Sequence, residues 1–436
     1  MDAAVAPAAL MRLEAWFETM RAADPPGYAG PVAHWWQNCM QYTGAALDWR
    51  YEGIILGYLA LEAATGERRW LDKAQRAGDD LVGGQLDSGS YRASSFELNP
   101  YTGGTPHEAA ADIGLLALAK RLRSLGDSAW EIYYQTASRN LRGHFIGRLW
   151  DDGAGRFNDA MGVPSFVANK AATLCEALFL LAELSSDPVW IDRYALPTLD
   201  RIVSMQVTDG ALKGAIAQNW HQGAVVERYM PYYIARCIPA LLLGAAHTGN
   251  MAYTDAALEA ARFVFRQQDA DGGFIQCVYA GGRINRYPRW VAAVGDIIRI
   301  AGLVAPYGFT GDTDSALAWM LAGQNANGGI GTARGFAAQV EQRFDGRLPE
   351  FRDLLPVCGW TDKAFRCLAA MLPPGALPEA AETAEAVEIP CVLRGKAAVY
   401  REDADQIELR RGQKALYRWY KGAAWAAECA PEMLWK

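Results

Sequence analysis

Several features that mark other protein classes are missing from this chain of 436 residues. Its eight cysteines are scattered and include no Cys-x-x-Cys pair, which argues against a disulfide framework, a structural zinc site and a dithiol redox motif. No window holds the roughly 18 uncharged apolar residues of a membrane span, and the N-terminus lacks the basic and apolar regions of a signal peptide. We therefore expect a cytoplasmic protein that has no integral membrane segment and uses neither a metal nor another cofactor.

Positive charge is in short supply as well. The chain has 42 Lys and Arg against 49 Asp and Glu, a net charge of −7. Nucleic acids require a basic surface, so we expect no nucleic-acid partner. The chain has instead 51% hydrophobic residues, 43 glycines, 15 tryptophans and 19 tyrosines, a composition typical of a globular protein with a large core.

Many of the glycines belong to an internal repeat. Its pattern is Gln, three residues, Gly, a small residue and then an apolar or aromatic residue, and the clear copies begin at Gln85, Gln206, Gln268 and Gln324. With two weaker copies included, the glycines follow one another every 56 to 64 residues: Gly27, Gly89, Gly153, Gly210, Gly272 and Gly328. A regular period of this length predicts a repeated supersecondary unit.

Each period holds two helical patterns. The first is apolar and almost uncharged, as in 232–250, and the second is amphipathic, as in 251–268; together they predict a buried helix paired with a half-exposed one. Five complete pairs, an opening amphipathic helix at about 7–22 and a final buried one within 360–372 predict an all-α fold. We expect an (α/α)6 toroid of six helical hairpins over residues 1–372, with an open solenoid as the alternative.

The tail differs in composition. Residues 373–388 have the Pro, Ala and Glu content of a linker. Residues 389–436 hold β-rich runs at 397–401, 406–410 and 415–420, which predict a small antiparallel β appendage. Because so short a segment buries little core by itself, we expect it to pack on the toroid.

The repeat copies QDADGGF (268–274) and QNANGGI (324–330) resemble the repeat of terpenoid cyclases and protein prenyltransferases. In that superfamily the motif closes the outer helices of an α/α toroid. The sequence also resembles intracellular six-hairpin carbohydrate enzymes, in which the same toroid occurs with Asp-Gly-aromatic turns: unsaturated glucuronyl hydrolases, sugar 2-epimerases and some uronate lyases. The resemblance covers about 1–372 and implies an architecture, whereas the chemistry must be argued from the site.

In such a toroid the loops that precede the inner helices converge on one mouth of the ring. The corresponding segments are rich in Arg, Tyr, Trp, His and carboxylates: 44–53, 103–114, 157–170, 218–236, 281–290 and 352–363. They predict a polar, aromatic cleft that binds a small molecule or an oligosaccharide.

The segment 218–236 is the richest of these. His221 and Tyr229 are catalytic candidates because an imidazole beside a phenol can transfer protons. The i, i+4 spacing predicts that Tyr229 and Tyr233 share a helix face with Arg236 a further turn away; tyrosines that only line the lumen are the alternative. The substrate-binding candidates of this segment are Asn219, Trp220, Glu227, Arg228, Tyr233 and Arg236.

Two carboxylate pairs with i, i+4 spacing stand at predicted helix starts. Glu108 and Asp112 follow His107, and Asp48 precedes Glu52. Glu108, Asp112 and Asp48 are therefore catalytic candidates for acid and base, with His107 in substrate binding; carboxylates that only interact with a helix dipole are the alternative. The other histidines have a weaker candidacy or a structural role: His34 the former, His144 and His247 the latter.

The arginines of these segments indicate an anionic substrate. Arginine matches a carboxylate or phosphate in bidentate geometry, so we predict that at least one arginine of the mouth faces an acidic group on the ligand. We expect some of them to pair with Glu227, Asp353 or Asp362 instead. The further substrate-binding candidates are Arg283, Arg286, Tyr287, Arg289, Trp290, Trp360 and Asp362.

Together these residues favour a carbohydrate-active enzyme that acts on an anionic, uronic-acid-type sugar by lyase, hydrolase or epimerase chemistry. In a lyase or epimerase, His221 or Tyr229 would abstract the proton while Asn219 and an arginine stabilise the developing charge. In a hydrolase, the carboxylates Glu108, Asp112 and Asp48 would supply acid and base. A terpenoid cyclase or prenyl-diphosphate enzyme is the first alternative, although no DDxxD or DxDD motif is present, and a non-catalytic ligand-binding toroid is the second.

Overall fold

The computed structural model describes residues 5–33, 40–94, 105–337, 348–376, 378 and 384–433. About half of this part is helical, and the C-terminal part is β-rich. The α-helices are α1 (Val5–Thr19), α2 (Arg50–Thr65), α3 (Arg68–Gly83), α4 (Ala110–Ser124), α5 (Trp130–Arg139), α6 (Gly147–Leu149), α7 (Ala168–Ser185), α8 (Leu196–Ser204), α9 (Pro231–Ala235), α10 (Ile238–Thr248), α11 (Met251–Arg266), α12 (Val294–Val304), α13 (Thr313–Leu321), α14 (Phe351–Leu354) and α15 (Cys358–Ala370). The π-helical turns are Asn140–Ile146 and Trp190–Ala195, and the 3-10 turns are Pro106–Ala109, Ala305–Tyr307 and Pro431–Met433.

Buried apolar helices alternate with half-exposed ones, which confirms that part of the prediction. The apolar helices α2, α4, α7, α10, α12 and α15 contact one another in chain order, and α15 returns to contact α2. The amphipathic helices α1, α3, α5, α8, α11 and α13 lie outside them. The contact between α15 and α2 closes the ring, whereas an open solenoid would leave these two helices apart.

Glycines permit the close approach of neighbouring inner helices. A Cβ on Gly53 would lie 2.4 Å from the carbonyl oxygen of Asp362, at the seam between α2 and α15. A Cβ on Gly295 would lie 2.4 Å from the carbonyl oxygen of Lys363. A side chain at either position would push α15 away from its neighbour, so these glycines serve ring closure.

The repeated glutamine joins neighbouring outer helices. Gln85 Nε2 donates to the carbonyl oxygen of Gly89 in its own turn, at 2.9 Å, and to that of Thr136 in the next outer helix, at 2.8 Å. Gln324 makes the corresponding bond to Ala9 of α1, at 2.8 Å, so the last turn binds the first helix. The same pair of bonds recurs at Gln268 and Gln324, and Gln206 likewise joins a carbonyl of its own turn to one of the next outer helix.

The copy at Gln206 differs from its predicted form. Gln206 Nε2 donates to the carbonyl oxygen of Gly214, at 3.1 Å, and not to that of Gly210. A Cβ on Gly214 would lie 2.0 Å from the carbonyl oxygen of Glu259 in α11, whereas Gly210 faces open space. The assignment of Gly210 was wrong because the Asp-Gly pair at 209–210 imitates the motif inside an insertion.

The C-terminal part forms a five-stranded antiparallel sheet in the order β13 (Val387–Leu393), β14 (Lys396–Glu402), β15 (Gln406–Arg411), β16 (Lys414–Tyr420) and β17 (Glu428–Cys429). These strands include the three β-rich runs of the sequence. Glu402, buried at the face toward α1, accepts hydrogen bonds from Trp16 Nε1 at 2.8 Å, from Lys421 Nζ at 3.0 Å and from the Tyr400 hydroxyl at 2.6 Å. A fully bonded carboxylate thus joins the sheet to the first outer helix.

Short strands fill several loops between the helices. In the two-stranded sheets β1 (Arg21–Ala23) pairs with β2 (Pro26–Tyr28), β3 (Trp150–Asp151) with β4 (Arg156–Phe157), and β11 (Arg289–Trp290) with β12 (Ala333–Arg334). In the three-stranded sheets β6 (Asn219–His221) lies between β5 (Ser165–Val167) and β7 (Ala224–Val226), and β9 (Cys277–Tyr279) lies between β8 (Arg228–Tyr229) and β10 (Ile284–Asn285). Among the described helices, none has both the length and the apolar character that a bilayer crossing requires.

Candidate active site

Four buried charged side chains meet inside the ring of inner helices. Glu52 comes from the first turn of α2, Arg236 follows α9, Asp296 lies in α12 and Arg366 in α15. Arg236 holds both oxygens of Glu52 at 3.1 Å, while Arg366 donates to Glu52 Oε1 at 2.6 Å and to Asp296 Oδ1 at 3.0 Å. Arg236 Nη1 lies 3.4 Å from Asp296 Oδ2, which completes a four-membered charge cluster across the ring.

The charge cluster keeps its carboxylates ionised. Burial alone would raise the pKa of Glu52, but the attraction of Arg236 and Arg366 outweighs it and holds that pKa well below its ordinary value. For the same reasons the pKa of Asp296 falls to about 2. Neither carboxylate is suited to donate a proton near neutral pH.

An aromatic cluster lies beside these charges. The indole rings of Trp290 and Trp360 are stacked, with centroids 4.4 Å apart and planes 17° from parallel. Trp49 meets Trp360 edge-on at 5.1 Å, and Tyr232 lies 5.4 Å from the same ring. The Tyr232 hydroxyl lies 3.3 Å from Asp296 Oδ2, so the aromatic cluster and the charge cluster are in direct contact.

Asp362 is a buried carboxyl group that titrates near neutral pH. Its Oδ2 accepts from Lys363 Nζ at 2.7 Å and from the backbone N–H of Gly53 at 3.1 Å. Burial raises the pKa of Asp362 to about 7, and the attraction of Lys363 only partly opposes this. Its Oδ1 is buried and has no hydrogen-bond partner within the described ranges, which leaves that oxygen for a ligand or a proton.

His107 stands at the same level of the ring, edge-on to Trp49 at 4.8 Å. Burial and the positive charge of Arg236 hold the pKa of His107 well below its ordinary value, so the imidazole is neutral. Its Nδ1 lies 3.4 Å from Thr173 Oγ1. The Thr173 hydroxyl donates its own proton to the Asn169 carbonyl at 3.0 Å, so toward Nδ1 it can act only as an acceptor. This arrangement accommodates the tautomer that has its hydrogen on Nδ1 and its basic lone pair on Nε2.

The structure brings some of the predicted site residues together in this interior: His107, Arg236, Trp290, Trp360 and Asp362. They come from four different loops or helices, and the charge cluster and the aromatic cluster connect them. The spatial convergence of loops before the inner helices thus holds for this subset.

Tyr229 and Tyr233 do not share a helix face, which corrects the expectation from their spacing. Tyr229 lies in β8 and its ring packs against Phe263 of the outer helix α11 at 6.4 Å, whereas α9 begins only at Pro231. Tyr233 lies on α9 and contacts Tyr232 at 5.5 Å. The backbone extends between the two tyrosines because Pro231 fixes the start of the helix.

The rest of segment 218–236 lies on the hairpin β6–β7 and the residues after it: Asn219, Trp220, His221, Glu227 and Arg228. His221 and Glu227 are exposed, and the indole of Trp220 is covered by the guanidinium of Arg156 at 4.5 Å. Arg228 Nε donates to Gln218 Oε1 at 2.6 Å. The structure therefore does not bring His221 into the ring interior.

The arginines before α12 face an outer turn. Arg289 binds Asp271 through Nη1 and Nη2, both at 2.8 Å, and Arg286 pairs with Asp269. Arg283 is exposed and lies over the Tyr279 ring at 4.0 Å, and Tyr287 packs against the backbone of Gly335. The repeat turn at 268–274 supplies the acids for Arg286 and Arg289, a pairing that the sequence reasoning assigned to other acids.

Glu108 and Asp112 lie in a second buried group, between α4 and the outer layer. Glu108 accepts from Ser94 Oγ at 2.6 Å and caps the helix start through the Thr105 N–H. Asp112 accepts from the Tyr91 hydroxyl at 2.6 Å and from Asn140 Nδ2 at 2.8 Å, and burial raises its pKa well above the ordinary value. These bonds are those of a structural network.

Asp48 precedes α2 and binds the first residue of that helix. Its Oδ1 accepts from Arg50 Nε at 2.7 Å, and Arg50 Nη1 donates to the Tyr28 carbonyl at 2.7 Å. Glu52 instead turns to the charge cluster, so Asp48 and Glu52 do not form an i, i+4 pair on one helix face.

Several residues of the interior were missed by sequence reasoning: Trp49, Thr173, Tyr232, Asp296, Lys363 and Arg366. The available signal was a charge inside an otherwise apolar helix pattern, as for Asp296 in VGDIIRIAGLV. Buried charges of this kind require partners, and the partners come from other helices that are remote in sequence. In the part of the chain that the structure describes, no three His, Cys, Asp or Glu side chains come together as a metal site; His34 lies outside the described residues.

No known protein family model matches the sequence, and no curated protein sequence matches it. Solved structures do resemble it. A possible member of the GH105 family from Klebsiella pneumoniae has a TM-score of 0.60 at 11% identity, with 85% of this chain and 94% of that chain covered. A D-mannose isomerase has a TM-score of 0.58 at 14% identity (84% and 97% covered), and the cellobiose 2-epimerase of Bacillus thermoamylovorans has 0.54 at 13% (81% and 94%).

At these identities the likeness concerns the fold. Each of these structures covers most of the helical part and nearly all of its own chain, so the chain is similar to them over a whole architecture and not over a local motif. The chemistry has to come from the residues of the site.

Proposed function

We propose that the chain is a carbohydrate-active enzyme with an (α/α)6 toroid, and that it transfers a proton on a sugar bound inside the ring. The observation that carries the proposal is a neutral imidazole, His107, packed on Trp49, together with a carboxyl group of pKa about 7, Asp362, whose partner Lys363 lies over the same Trp49 ring at 5.5 Å. Pairs of titratable groups that are pushed in opposite directions by their surroundings are typical of acid–base sites. The likeness to D-mannose isomerase and cellobiose 2-epimerase supports the same class of substrate.

The aromatic cluster suits a sugar ring. Pyranoses present apolar C–H faces that pack on indole rings, while their hydroxyl groups need polar partners at the edge. Trp49, Trp290 and Trp360 supply the rings, and the charge cluster supplies polar groups directly below them. This combination fits a sugar better than it fits a purely apolar ligand.

The chemistry that fits best is proton abstraction next to a carbonyl or carboxyl group. His107 Nε2 would take the proton from carbon, and protonated Asp362 would donate to the oxygen on which negative charge develops, with Lys363 beside it. Isomerases, epimerases and lyases share this step. A hydrolase that uses two carboxyl groups has less support, because the arginines hold Glu52 and Asp296 as ions.

An anionic sugar is favoured by the excess of cationic groups. Arg299 projects from α12 toward the charge cluster, with Nε 3.8 Å from Asp296 Oδ1. Its Nη2 is buried and lacks a hydrogen-bond partner within the described part of the chain. Besides Asp296, the carboxyl group that acts on its charge is that of Glu176, whose pKa is raised by burial. A ligand carboxylate would supply the missing negative charge.

Ligand-induced thermal stabilisation tests this function. Wild-type protein is heated with uronates, with neutral aldoses and, separately, with prenyl diphosphates. We expect a rise in Tm with the sugars, a larger rise with the uronates, and no rise with the diphosphates. Stabilisation by diphosphates alone would contradict the proposal and favour a terpenoid enzyme.

A further inference from the structure

A small pocket beside the site, with room for about one water-sized group, is not part of either cluster. We call it the polar alcove. Three of the residues that line it have polar side chains, Asn169, Gln218 and Tyr233, and the others are apolar or contain sulfur: Ala168, Ile216, Ala217, Met230, Ile234 and Cys237. None of the lining side chains carries a charge.

The polar alcove adjoins the charge cluster. Asn169 lies one helical turn before Thr173 on α7, and Tyr233 lies one turn before Arg236 at the end of α9. Since an α-helix rises 1.5 Å per residue, the alcove begins about 5–6 Å toward the helix starts from Thr173 and Arg236. Those two residues are in contact with each other, at 3.1 Å, so alcove and charge cluster are successive levels between the same two helices.

The polar groups of the alcove have defined hydrogen-bonding roles. Because Gln218 Oε1 already accepts from Arg228 Nε at 2.6 Å, the amide is held so that its NH2 group acts as a donor. Burial raises the pKa of Tyr233 well above its ordinary value, so the phenol keeps its proton. Asn169 offers both a donor and an acceptor.

An ion would be a poor occupant of this cavity. Ile216, Met230 and Ile234 form an apolar wall, and no lining side chain has a charge that could neutralise one brought in with a ligand. A hydroxyl group can satisfy the amides and the phenol by donating and accepting at once. The alcove thus favours an uncharged polar group, whereas the charge cluster close to it favours a charged one.

We infer that the polar alcove is a subsite for an uncharged hydroxyl-bearing arm of the same sugar whose ring lies on the aromatic cluster. The inference rests on the proposed function, since it assumes a sugar at that cluster. It adds a specificity: the substrate carries a neutral polar substituent at the position that reaches α7 and α9, and an analogue with a charge at that position is rejected.

The test asks whether removing a hydroxyl group from the sugar and removing a side chain from the alcove abolish the same contact. The tightest binder among methyl glucoside, methyl mannoside, methyl galactoside and methyl glucuronide is chosen by calorimetric titration, and its singly deoxygenated analogues are titrated into wild type, Asn169→Ala and Tyr233→Phe. For one position we expect deoxygenation to weaken wild-type binding about threefold to tenfold, the size of one neutral hydrogen bond. At least one of the two variants should bind the analogue that lacks that hydroxyl group no more weakly than wild type does. The analogue with an amino group at that position should not bind to wild type. Gln413→Ala, which removes an exposed amide of the C-terminal sheet, is the matched control and should behave as wild type.

Ala217→Leu, whose larger side chain fills the alcove, gives an independent test. It should weaken binding of the unmodified sugar by more than any single deoxygenation weakens binding to wild type. Tyr233→Phe removes only one oxygen atom, so it still tests the inference if Asn169→Ala or Ala217→Leu fails to fold. If the wild type binds the sugars but no deoxygenated position couples to any alcove residue, the alcove inference fails while the proposed function stands. If the wild type binds none of the sugars, both fail.

Discussion

At the scale of single residues, Asp362 carries the most specific prediction. We expect Asp362→Asn to lower kcat on the substrate by about 100-fold to 10,000-fold, the usual contribution of a positioned acid or base. The amide keeps the shape but cannot donate and recover a proton. In wild type, kcat should fall as pH rises through about 7, since the acidic form of Asp362 is lost there. A variant whose pH profile matches the wild type would contradict this role.

The same pKa predicts a pH dependence of stability. An unfolded aspartate has a pKa of about 3.9, and Asp362 in the fold has one of about 7. Because the folded state holds the proton more tightly, the stabilisation is fully present below about pH 4 and is lost as pH rises through about 7. We expect the free energy of unfolding of wild type to fall between pH 5 and pH 8 relative to that of Asp362→Asn, measured by denaturant titration at each pH.

Glu52 holds the charge cluster together. Its replacement by Gln leaves Arg236 and Arg366 buried with one negative charge fewer, and we expect a loss of about 3–5 kcal/mol in the free energy of unfolding. Asp72→Asn removes an acid from the exposed pair with Arg68 and is the matched control, for which we expect no comparable change. Equal effects of the two substitutions would show that the buried cluster is not a stabilising unit.

Residue types and their spacing predicted only part of the candidate site. The sequence placed Trp360 and Asp362 near the mouth because they precede or begin an inner helix. It favoured His221 because that histidine has polar neighbours in the chain, but its side chain is exposed on a hairpin. His107 and Lys363, the neighbour and partner of Asp362, both reach the Trp49 ring through the closure of the ring of helices, a meeting that local spacing does not encode.

At the scale of elements, the repeated turn predicts which glycines matter. Gly214→Ala would place a Cβ 2.0 Å from the carbonyl oxygen of Glu259 and strain a residue with φ +88. Gly210→Ala has a similar backbone, φ +68, but open space around it. We expect Gly210→Ala to cost about 1 kcal/mol of unfolding free energy and Gly214→Ala at least ~2 kcal/mol more, measured by denaturant unfolding. A larger loss for Gly210→Ala than for Gly214→Ala would support the original alignment, in which Gly210 is the glycine of the repeat.

Element type was predictable where the pattern was long. The apolar and amphipathic helices follow from their periodicity, and α1, α7 and α11 begin or end close to the expected bounds. The strands β5 to β12 were not foreseen, because runs of two or three residues cannot display an alternating pattern. Tyr229 falls on one of these short strands, which is why its expected helix face does not exist.

At the scale of the whole molecule, the C-terminal sheet and the ring should unfold together. The buried carboxylate of Glu402 binds Trp16 of α1 and Lys421 of the sheet. We expect Glu402→Ala to lower the midpoints of the helical circular dichroism and the tryptophan fluorescence by the same amount, whereas Glu388→Ala, at an exposed pair with Arg401, changes neither. Two separate transitions in wild type would show that the sheet is an independent unit.

The ring itself was the most predictable feature. A period of about 60 residues, fixed by glutamine and glycine, already required each hairpin to bury its face on the next, and the bond from Gln324 to α1 shows the repeat closing on its own beginning. The direction of each inner side chain was not predictable to the same extent, because it depends on how six helices rotate against one another. The architecture is therefore better determined by the sequence than the chemistry inside it.

Proton exchange on a sugar in D2O tests the central claim most directly. Wild type, His107→Gln and Asp362→Asn are incubated with a panel of aldoses, ketoses and uronates, and the proton spectra are followed by NMR. Isomerisation, epimerisation and elimination each begin with loss of a carbon-bound proton next to a carbonyl or carboxyl group, so the account predicts loss of that proton's signal, by deuterium exchange or conversion, in at least one sugar with wild type and a strong reduction with both variants. No change in any sugar with wild type, or an undiminished rate with Asp362→Asn and His107→Gln, would contradict it.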